Sequence, residues 1–562
     1  MFDLVLRGGR VYDGTGAPPV DADVGVVDGR IAEIGPGLGR ARRILDVEGL
    51  AVSPGFIDNH THFDAQLLWD PAATTSCFHG ITTVVIGNCG LSLAPCRDDT
   101  RDALIGTLGR VEAISRRVLE AGIDWSWHTT AEYFARLRGR IGVNVGALIG
   151  HCAVRHAVMG EDAVERAATD HEIHAMQALV RDGMAAGALG FSTNNTPRHM
   201  REDGKPIASR FADGREVDAL FAVLAELGAG VLQNVQGWSP SMDIKAKVDY
   251  VADVALKTGR PVLWQGIVHR WHEGDDWRTA LAATARVRED DRVRMYPVTQ
   301  VKPVEKRFTL QNAQVFDEFP TWRTVMMTPL ERRTALFADA EIRRKLSWEA
   351  IEDPARSHFG KRWDLVWIND VVHEEHRELV GLSIAELAAR RGASVIDAFL
   401  DLALAENLGT EFFRYSTQGD PAAVAEILRS PHVLVGQSDA GAHLVFDAAF
   451  GFSSTFLGRW VRDERLMTLE AGIRRLTLDV ADVFGMRDRG ALAPGYAADV
   501  AVFDPDRIDS FDPEWATDLP GGERRLVQRA AGVAHTIVNG VPLVEDGELT
   551  GALSGQVVGA WI

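Results

Sequence analysis

Two histidines one residue apart, His60 and His62, follow an apolar run in the segment SPGFIDNHTHFDAQ. In a β-strand, side chains at positions i and i+2 point to the same face, so both imidazoles would project from one strand end together with Asp58. Imidazole is a common zinc ligand, but two ligands do not make a stable zinc site. The spacing therefore predicts one part of a metal site that residues from elsewhere in the chain complete.

Asp439, in the segment GQSDAGAH, also follows an apolar run. A carboxylate at a strand end can bind a metal ion and can also take a proton from a metal-activated water molecule. The alternative for an aspartate in this context is to cap the N-terminus of a helix. Asp439 is thus a candidate both as a ligand and as a general base.

The elements that would bring these residues together are short apolar runs, which alternate with amphipathic stretches along the middle of the chain. Runs that are buried on both faces and separated by helices indicate a parallel sheet. Eight of them predict an α/β fold with a TIM-like (β/α)8 barrel, whose active site lies at the C-terminal strand ends. The runs cover residues 56–62, 81–90, 143–152, 187–194, 228–235, 260–269, 292–299 and 432–443.

Both ends of the chain have a different pattern, with short strands and tight turns. Asp28-Gly29 near the start and Asn539-Gly540 near the end are dipeptides typical of type I′ hairpin turns. We therefore predict one small β-sandwich domain built from both termini, residues 1–52 and 486–562, around a barrel domain of residues 53–485. Within the barrel, residues 301–371 are rich in Trp, Phe, Arg and Pro without a clear strand, which predicts an insertion that acts as a lid.

Length and charge restrict the class of protein. The chain has 562 residues, too many for one core, and 60 basic against 79 acidic residues give a net charge of −19. Such a charge repels phosphate backbones and anionic lipid, so we expect neither a nucleic-acid partner nor membrane binding. Four cysteines do not form a disulfide framework, and no signal-peptide pattern precedes the first strands. These features predict a cytoplasmic protein and leave its oligomeric state open, a homo-oligomer included.

Several motifs resemble those of the amidohydrolase superfamily, and most closely those of its N-acyl-D-amino-acid deacylase (D-aminoacylase) branch. They are PGFIDNHTHFD, TTVVIGNCGLSLAP, SDAGAH and GALAPGYAADVAVFDP, and the resemblance covers nearly the whole chain. It implies that Cys89 of GNCG is a zinc ligand, although a buried thiol is the alternative. One Zn²⁺ held by His60, His62, Cys89 and Asp439 is then the expected cofactor.

The same resemblance identifies where this sequence departs from the branch. At the ends of strands 5 and 6, where the branch has histidine ligands, this chain has Asn234 and either Gln265 or Gly266. The substrate-binding lysine of strand 6 is absent, and His269 and Arg270 follow instead. Tyr296, in MYPV, matches a tyrosine that contacts the substrate carboxylate.

Further histidines at strand ends extend the set of candidates. His151 and His443 are candidates for replacing the missing ligands or for donating to a developing oxyanion, and a structural hydrogen-bonding role is the alternative for each. His199 and Arg201, in NTPRHMRED after the fourth run, are candidates for contacts with an anionic substrate, with a solvated loop as the alternative.

Together these features predict a metal-dependent amidohydrolase that cleaves a carbon–nitrogen bond other than a peptide bond, with a small-molecule amide as its substrate. The substrate implied by the resemblance is an N-acyl-D-amino acid or a similar small N-acyl carboxylate. One alternative keeps the chemistry but changes the substrate to a cyclic amide, a lactam or a bulky aryl amide, because the strand-6 lysine is lost and the insertion is rich in tryptophan. A second alternative is a catalytically silent scaffold.

Overall fold

The structure is a computed structural model that describes residues 1–235, 243–271, 273–311, 313–354, 357, 359–445 and 448–559. The strands, in chain order, are β1 Phe2–Val11, β2 Val20–Val27, β3 Arg30–Gly35, β4 Ala41–Asp46, β5 Ala51–Pro54, β6 Phe56–Asp58, β7 Ile81–Ile86, β8 Asn144–Gly150, β9 Gly190–Asn194, β10 Val231–Val235, β11 Val262–Gln265, β12 Met295–Thr299, β13 Val304–Phe308, β14 Val366–Asp370, β15 Glu411–Thr417, β16 Leu434–Val435, β17 Val500–Phe503, β18 Asp509–Ser510, β19 Glu514–Leu519, β20 Glu523–Val527, β21 Ala530–Ala531, β22 Val533–Val538, β23 Val541–Glu545, β24 Glu548–Leu549 and β25 Val557–Val558.

The α-helices, in chain order, are α1 Arg101–Val111, α2 Arg116–Gly122, α3 Thr130–Leu137, α4 His151–Met159, α5 Asp170–Ala185, α6 Gly214–Leu227, α7 Ile244–Thr258, α8 Asp276–Val287, α9 Pro320–Met326, α10 Leu330–Ala338, α11 Ala340–Ser347, α12 Ile384–Arg391, α13 Val395–Ala405, α14 Pro421–Arg429, α15 Phe452–Thr455, α16 Leu469–Leu476 and α17 Leu478–Phe484. Several short 3₁₀ turns connect them.

A parallel barrel forms the centre of the molecule. Its strands pair in the order β6, β7, β8, β9, β10, β11, β12 and β16, and each lies inside one of the eight predicted runs. The first and last strands meet through backbone hydrogen bonds: Asp439 N–H donates to His60 O over 3.1 Å, and His62 N–H donates to Ala440 O over 2.7 Å. The predicted (β/α)8 fold is therefore confirmed, and this seam places His60, His62 and Asp439 side by side.

The helices around the barrel form where the sequence supplies a cap and an apolar stripe. In α5, for example, the Thr169 hydroxyl accepts from the Glu172 backbone N–H, and the Glu172 carboxylate accepts from the Thr169 backbone in return. The buried side chains that follow, Ile173, Met176 and Val180, recur three and four residues apart. That spacing places them on one face of the helix, toward the barrel.

Strands from the two ends of the chain share one sheet, as the sequence predicts. This sheet runs in the order β24, β23, β22, β17, β5, β1, β2 and β3, with β4 also paired to β1, and the two ends join where β5 lies antiparallel to β17. The hairpin turns occur at the predicted dipeptides, because Asp28 and Asn539 have φ values of 50° and 47°. Such left-handed residues followed by glycine match the twist of a hairpin.

A separate subdomain lies between β12 and β16. It contains the antiparallel sheet β13-β15-β14 and α9 to α13, and it has its own hydrophobic core that includes Phe316, Trp322 and Phe399. It continues to Thr417, beyond residue 371 where the predicted lid insertion ends, because β15 is the central strand of its sheet. The expectation that residues 301–371 contain no strand is wrong, since β13 and β14 lie there.

Two tryptophans of this subdomain pack in its core. Trp322 and Trp363 are 0% and 3% exposed and belong to its core, whereas Trp348 is exposed to solvent. The aromatic richness that favours a bulky aryl substrate is thus explained for these two residues by core packing. Within the described ranges, no helix combines the length and the apolar character needed to cross a bilayer.

Candidate metal centre and active site

Three buried side chains converge at the C-terminal ends of the first two barrel strands. His60 and His62 follow β6, and Cys89 lies in the short 3₁₀ turn Asn88–Gly90 after β7, with φ of 56°. One donor atom from each residue lies within 4.8 Å of the other two, and His60 Nε2 is 3.3 Å from Cys89 Sγ. The two imidazoles therefore meet just past the strand end, and Cys89 belongs to the same cluster, whereas the Asp58 carboxylate accepts a hydrogen bond from the Ser438 hydroxyl.

Asp439 reaches this cluster from the end of β16. Its Oδ1 atom lies 3.2 Å from His60 Nε2 and 3.9 Å from His62 Nε2, and within the described part of the chain this oxygen has no hydrogen-bond partner. Asp439 does not cap a helix, since the next described helix, α15, begins at Phe452. Burial raises the pKa of the Asp439 carboxyl.

The donor set fits a zinc ion. Two imidazoles, a thiol and a carboxylate are the ligand types that zinc takes in proteins. Burial lowers the pKa values of His60 and His62 to about 3, so both rings are neutral at pH 7 and can offer a lone pair. Burial also raises the pKa of Cys89 well above its ordinary value, and a cation would offset the cost of forming the buried thiolate.

Glutamines from strands 5 and 6 surround the same atoms. Gln233 on β10 accepts from the Cys89 backbone N–H over 2.9 Å, and its Nε2 lies 3.1 Å from His60 Nδ1. Gln265 on β11 has its Oε1 atom 3.7 Å from Cys89 Sγ. The side chain of Asn234 lies outside the described residues. Sequence reasoning missed Gln233, whose side chain links two candidate ligands.

Glu112, just after α1, is a second residue that the sequence analysis missed. It is 1% exposed, and its Oε1 atom lies 3.5 Å from His62 Nδ1. Burial, with a contribution from the nearby Asp439 charge, raises the pKa of Glu112 well above its ordinary value. Its backbone carbonyl also accepts from the His443 N–H over 2.6 Å. Glu112 therefore contacts both the cluster and the loop after β16.

A cavity of about 200 Å³ opens above the cluster. The predicted site residues that line it are His62, Cys89, His199, Arg270, Asp439 and His443. The subdomain between β12 and β16 supplies much of the opposite wall, including Lys306, Glu318, Phe359 and Arg414. The cavity therefore lies between the insertion and the strand ends of the barrel.

Burial lowers the pKa of His443 and that of His199 well below the usual value for histidine. The His199 ring is held by Asn194, whose Nδ2 lies 2.6 Å from His199 Nδ1. Arg270 contacts Glu273 over 3.0 Å. All three residues remain candidates for contacts with a bound molecule.

His60 lies in the metal cluster without lining the cavity, and four candidates outside the cluster do not line it either. His151 is buried at the start of α4, with its ring nitrogens 2.7 Å from Thr193 Oγ1 and 2.7 Å from Glu216 Oε1, so its contacts are structural. Arg201 pairs with Glu161 and Asp203.

Tyr296 and His269 lie outside the cavity lining. For Tyr296 the reason is its position within the strand, and for His269 it is the packing of its ring against a neighbouring tryptophan. Tyr296 is the second residue of β12, three positions before its C-terminal end, and Arg288 stacks on its ring at 4.8 Å. His269 packs edge-on against Trp271, with ring centroids 4.8 Å apart, while its neighbours Val268 and Arg270 line the cavity.

Comparison with known proteins places these features in a family context. A model of the amidohydrolase family matches residues 43–544. An N-acyl-D-glutamate deacylase from Alcaligenes xylosoxydans xylosoxydans is 30% identical over 96% of this chain and 93% of that protein. A D-aminoacylase from the same organism is 29% identical over 99% of this chain and 97% of its own length.

A solved structure shows the same arrangement of the whole chain. The N-acyl-D-glutamate deacylase from Bordetella bronchiseptica, in complex with zinc and a phosphonate inhibitor that mimics the tetrahedral intermediate, is 30% identical to this chain. The match has a TM-score of 0.67 and covers 99% of both chains.

Proposed function

This chain belongs to the amidohydrolase family and is a hydrolase of carbon–nitrogen bonds other than peptide bonds, and we propose that its substrate is an N-acyl-D-amino acid or a similar small N-acyl carboxylate. The observation that carries the proposal is the convergence of His60, His62, Cys89 and Asp439 at one end of a cavity that His62, Cys89 and Asp439 line. The names of the similar deacylases support the substrate class.

In this proposal His60, His62 and Cys89 hold one zinc ion. When bound, zinc polarises a scissile carbonyl and activates water at neutral pH. Asp439 Oδ1 takes the proton from the attacking water and delivers it to the nitrogen of the leaving amine. Glu112 orients the His62 ring through Nδ1, so that Nε2 faces the site.

The cavity walls position the substrate and limit the access of water. The neutral His443 ring, which lines the cavity, donates an N–H to the carbonyl oxygen as negative charge develops on it. Lys306 contributes positive charge that acts on both Glu112 and Asp439. A lid position for the insertion excludes bulk water, which strengthens these electrostatic contacts.

The alternatives make different demands on the same residues. A cyclic or aryl amide would need no carboxylate contact and would be consistent with the missing strand-6 lysine. A silent scaffold would not require four donors of zinc-binding type to remain together, so their retention disfavours it. A cytoplasmic location, the oligomeric state and the absence of nucleic-acid and membrane partners stay predictions.

Two measurements test the proposal. Protein purified without added metal should contain about one zinc per chain, and less than about a tenth of that without rescue by added zinc would favour the silent scaffold. Matched D and L enantiomers of N-acetyl amino acids should then be screened for release of the free amine. Turnover of the D series supports the proposed substrate, whereas turnover of only cyclic or aryl amides would replace it with the alternative.

A further inference from the structure

Among the residues that the structure describes, two arginines on the cavity wall have no ion-pair partner of the kind that Arg110 and Arg270 have. Arg110 pairs with Asp317, and Arg270 pairs with Glu273. By contrast, Arg198, on the loop after β9, and Arg414, on β15, make no hydrogen bond or ion pair with the residues that the structure describes. Both line the cavity that contains the candidate metal ligands.

Arg414 is the more unusual of the two, because it is 94% buried. Its exposed fraction is 6%, its Nε atom has no hydrogen-bond partner within the described ranges, and its guanidinium stacks over the Phe359 ring at 4.4 Å. Burial lowers its pKa to about 10, so it still carries its charge at neutral pH. A buried charge without a partner is costly, and it is retained where a ligand supplies the counter-charge.

The local charge balance identifies what kind of ligand would fit. Glu318 acts electrostatically on both arginines, and its carboxylate is held by the Phe359 backbone N–H over 2.7 Å. The guanidinium groups of Arg198 and Arg414 and the Glu318 carboxylate together carry a net charge of about +1, and the nearby Lys306 charge acts on Glu112 and Asp439. A single anionic group neutralises that excess, and the planar guanidinium fork matches a carboxylate.

The two arginines belong to different parts of the cavity wall, and one of them lies near the candidate metal ligands. The Arg198 charge also acts on Asp439 and Cys89, whereas Arg414 belongs to the sheet of the insertion. The Arg198 charge also lowers the pKa of Arg414, so the two guanidinium groups lie within electrostatic range of each other. Tyr296, for which the family resemblance implies a carboxylate contact, and His269, a predicted substrate-binding residue, do not line this space.

We propose that Arg198 and Arg414 form the subsite for one carboxylate of the substrate, with the scissile amide lying over the metal ligands and the carbon skeleton against Phe359. This inference rests on the proposed amidohydrolase function, and it assigns substrate selection to the loop after β9 and to the insertion rather than to strands 6 and 7. Neutral amides of the same size should bind poorly.

A pair of uncleavable probes tests the subsite without relying on turnover. Levulinate is N-acetylglycine with a methylene in place of the N–H, and 5-hydroxypentan-2-one is its neutral counterpart. Ligand-observed NMR titration of the metal-loaded protein should give at least about tenfold tighter binding of levulinate. Arg198→Gln and Arg414→Gln should each remove most of that preference and leave the affinity for the alcohol unchanged.

Two further variants separate charge recognition from structural effects. Arg414→Lys keeps the charge and should retain part of the preference for levulinate. Arg391→Gln, an exposed arginine on α12 of the same subdomain, should behave like the wild type. The proposal would be overturned if Arg198→Gln and Arg414→Gln lost affinity for both probes equally. It would also be overturned if both variants kept the preference for levulinate.

Turnover measured in parallel keeps the two proposals apart. A levulinate preference that depends on both arginines, in a protein that cleaves no amide, would support the subsite and refute the amidohydrolase function. Cleavage of carboxylate and neutral amides with equal kcat/KM would support the function and refute the subsite.

Discussion

At the scale of single residues, Asp439 has the clearest consequence. Its Oδ1 atom faces both histidines of the HxH pair and accepts no hydrogen bond from any described residue, so it is available for proton transfer. We expect Asp439→Asn to lower kcat by at least about a hundredfold, because an amide cannot take the proton from water. Metal content should stay close to that of the wild type, since His60, His62 and Cys89 remain.

Steady-state kinetics and elemental analysis on the same preparations check this prediction. Asp253→Asn, on the exposed face of α7, is the matched control and should leave kcat unchanged. Turnover of Asp439→Asn within a few fold of the wild type would remove Asp439 from the role of base.

Glu112 gives a second prediction at this scale. Because its carboxylate lies 3.5 Å from His62 Nδ1, it can fix the orientation of that ring. Partners of this kind typically contribute a factor of about 10–100 in metal affinity. We expect Glu112→Gln to weaken zinc binding by that factor in a chelator competition, whereas Glu120→Gln, exposed on α2, should not. An unchanged zinc affinity in Glu112→Gln would contradict the role.

The sequence makes some of these residues predictable and not others, for a physical reason. His60, His62 and Asp439 follow apolar runs whose strand character fixes where the side chains point, so their meeting could be inferred. Glu112 and Arg414 come from a helix end and from the insertion, where no periodicity relates their positions to the barrel. Their approach to the cavity depends on tertiary packing, which the local pattern does not encode.

At the scale of elements, the barrel strands were predictable because each is buried on both faces and reads as a continuous apolar run. The insertion was harder. Its central strand, β15, contains Arg414, Tyr415 and Ser416 and is followed by Gln418, so its sequence lacks a simple apolar pattern. The sheet therefore extends further along the chain than composition suggests.

The insertion's own core leads to a prediction about this element. Phe399 is 0% exposed, and its ring centroid lies 4.5 Å from that of Phe412 and 5.1 Å from that of Trp363. We expect Phe399→Ala to cost about 3–5 kcal/mol of stability through the cavity it leaves. The loss should be confined largely to the insertion, because the barrel has a separate core.

Hydrogen exchange and metal analysis can show whether the loss of stability is confined to the insertion. In Phe399→Ala, amides of residues 304–417 should exchange faster, while zinc content stays near that of the wild type and KM rises because Arg414 and Phe359 lose their fixed positions. Phe511→Ala is the control, because the Phe511 side chain is 58% exposed. It should leave the exchange rates, the zinc content and KM unchanged. Equal acceleration of exchange in the barrel would show that the two cores unfold together.

At the scale of the whole molecule, buried polar contacts join the barrel to the terminal sheet. Asn144 of β8 donates to Asp499 Oδ2 over 2.9 Å and accepts from Asn539 Nδ2 over 2.8 Å. Arg489 also pairs with Asp499. Removing one partner of such a network leaves a buried polar group unsatisfied, so the two domains stabilise each other.

His79 is a second link of this type, and it makes the stability of the molecule depend on pH. Its ring is fully buried before β7, where Nε2–H donates to the Gln528 carbonyl over 2.9 Å and Nδ1 lies 2.7 Å from Ser454 Oγ. Burial lowers the pKa of His79 to about 4 from its ordinary value of 6.5. Between these values the unfolded chain binds the proton and the folded chain does not, so stability falls as pH falls through that window.

We therefore expect His79 to account for about 2 kcal/mol of the stability that the protein loses between pH 7 and pH 5. Urea unfolding at several pH values should show a loss that is smaller by that amount in His79→Gln, because the glutamine side chain does not titrate. His171→Gln, an exposed histidine on α5, should follow the wild type. If His79→Gln loses as much stability on acidification as the wild type, protonation of His79 is not a cause of the acid sensitivity.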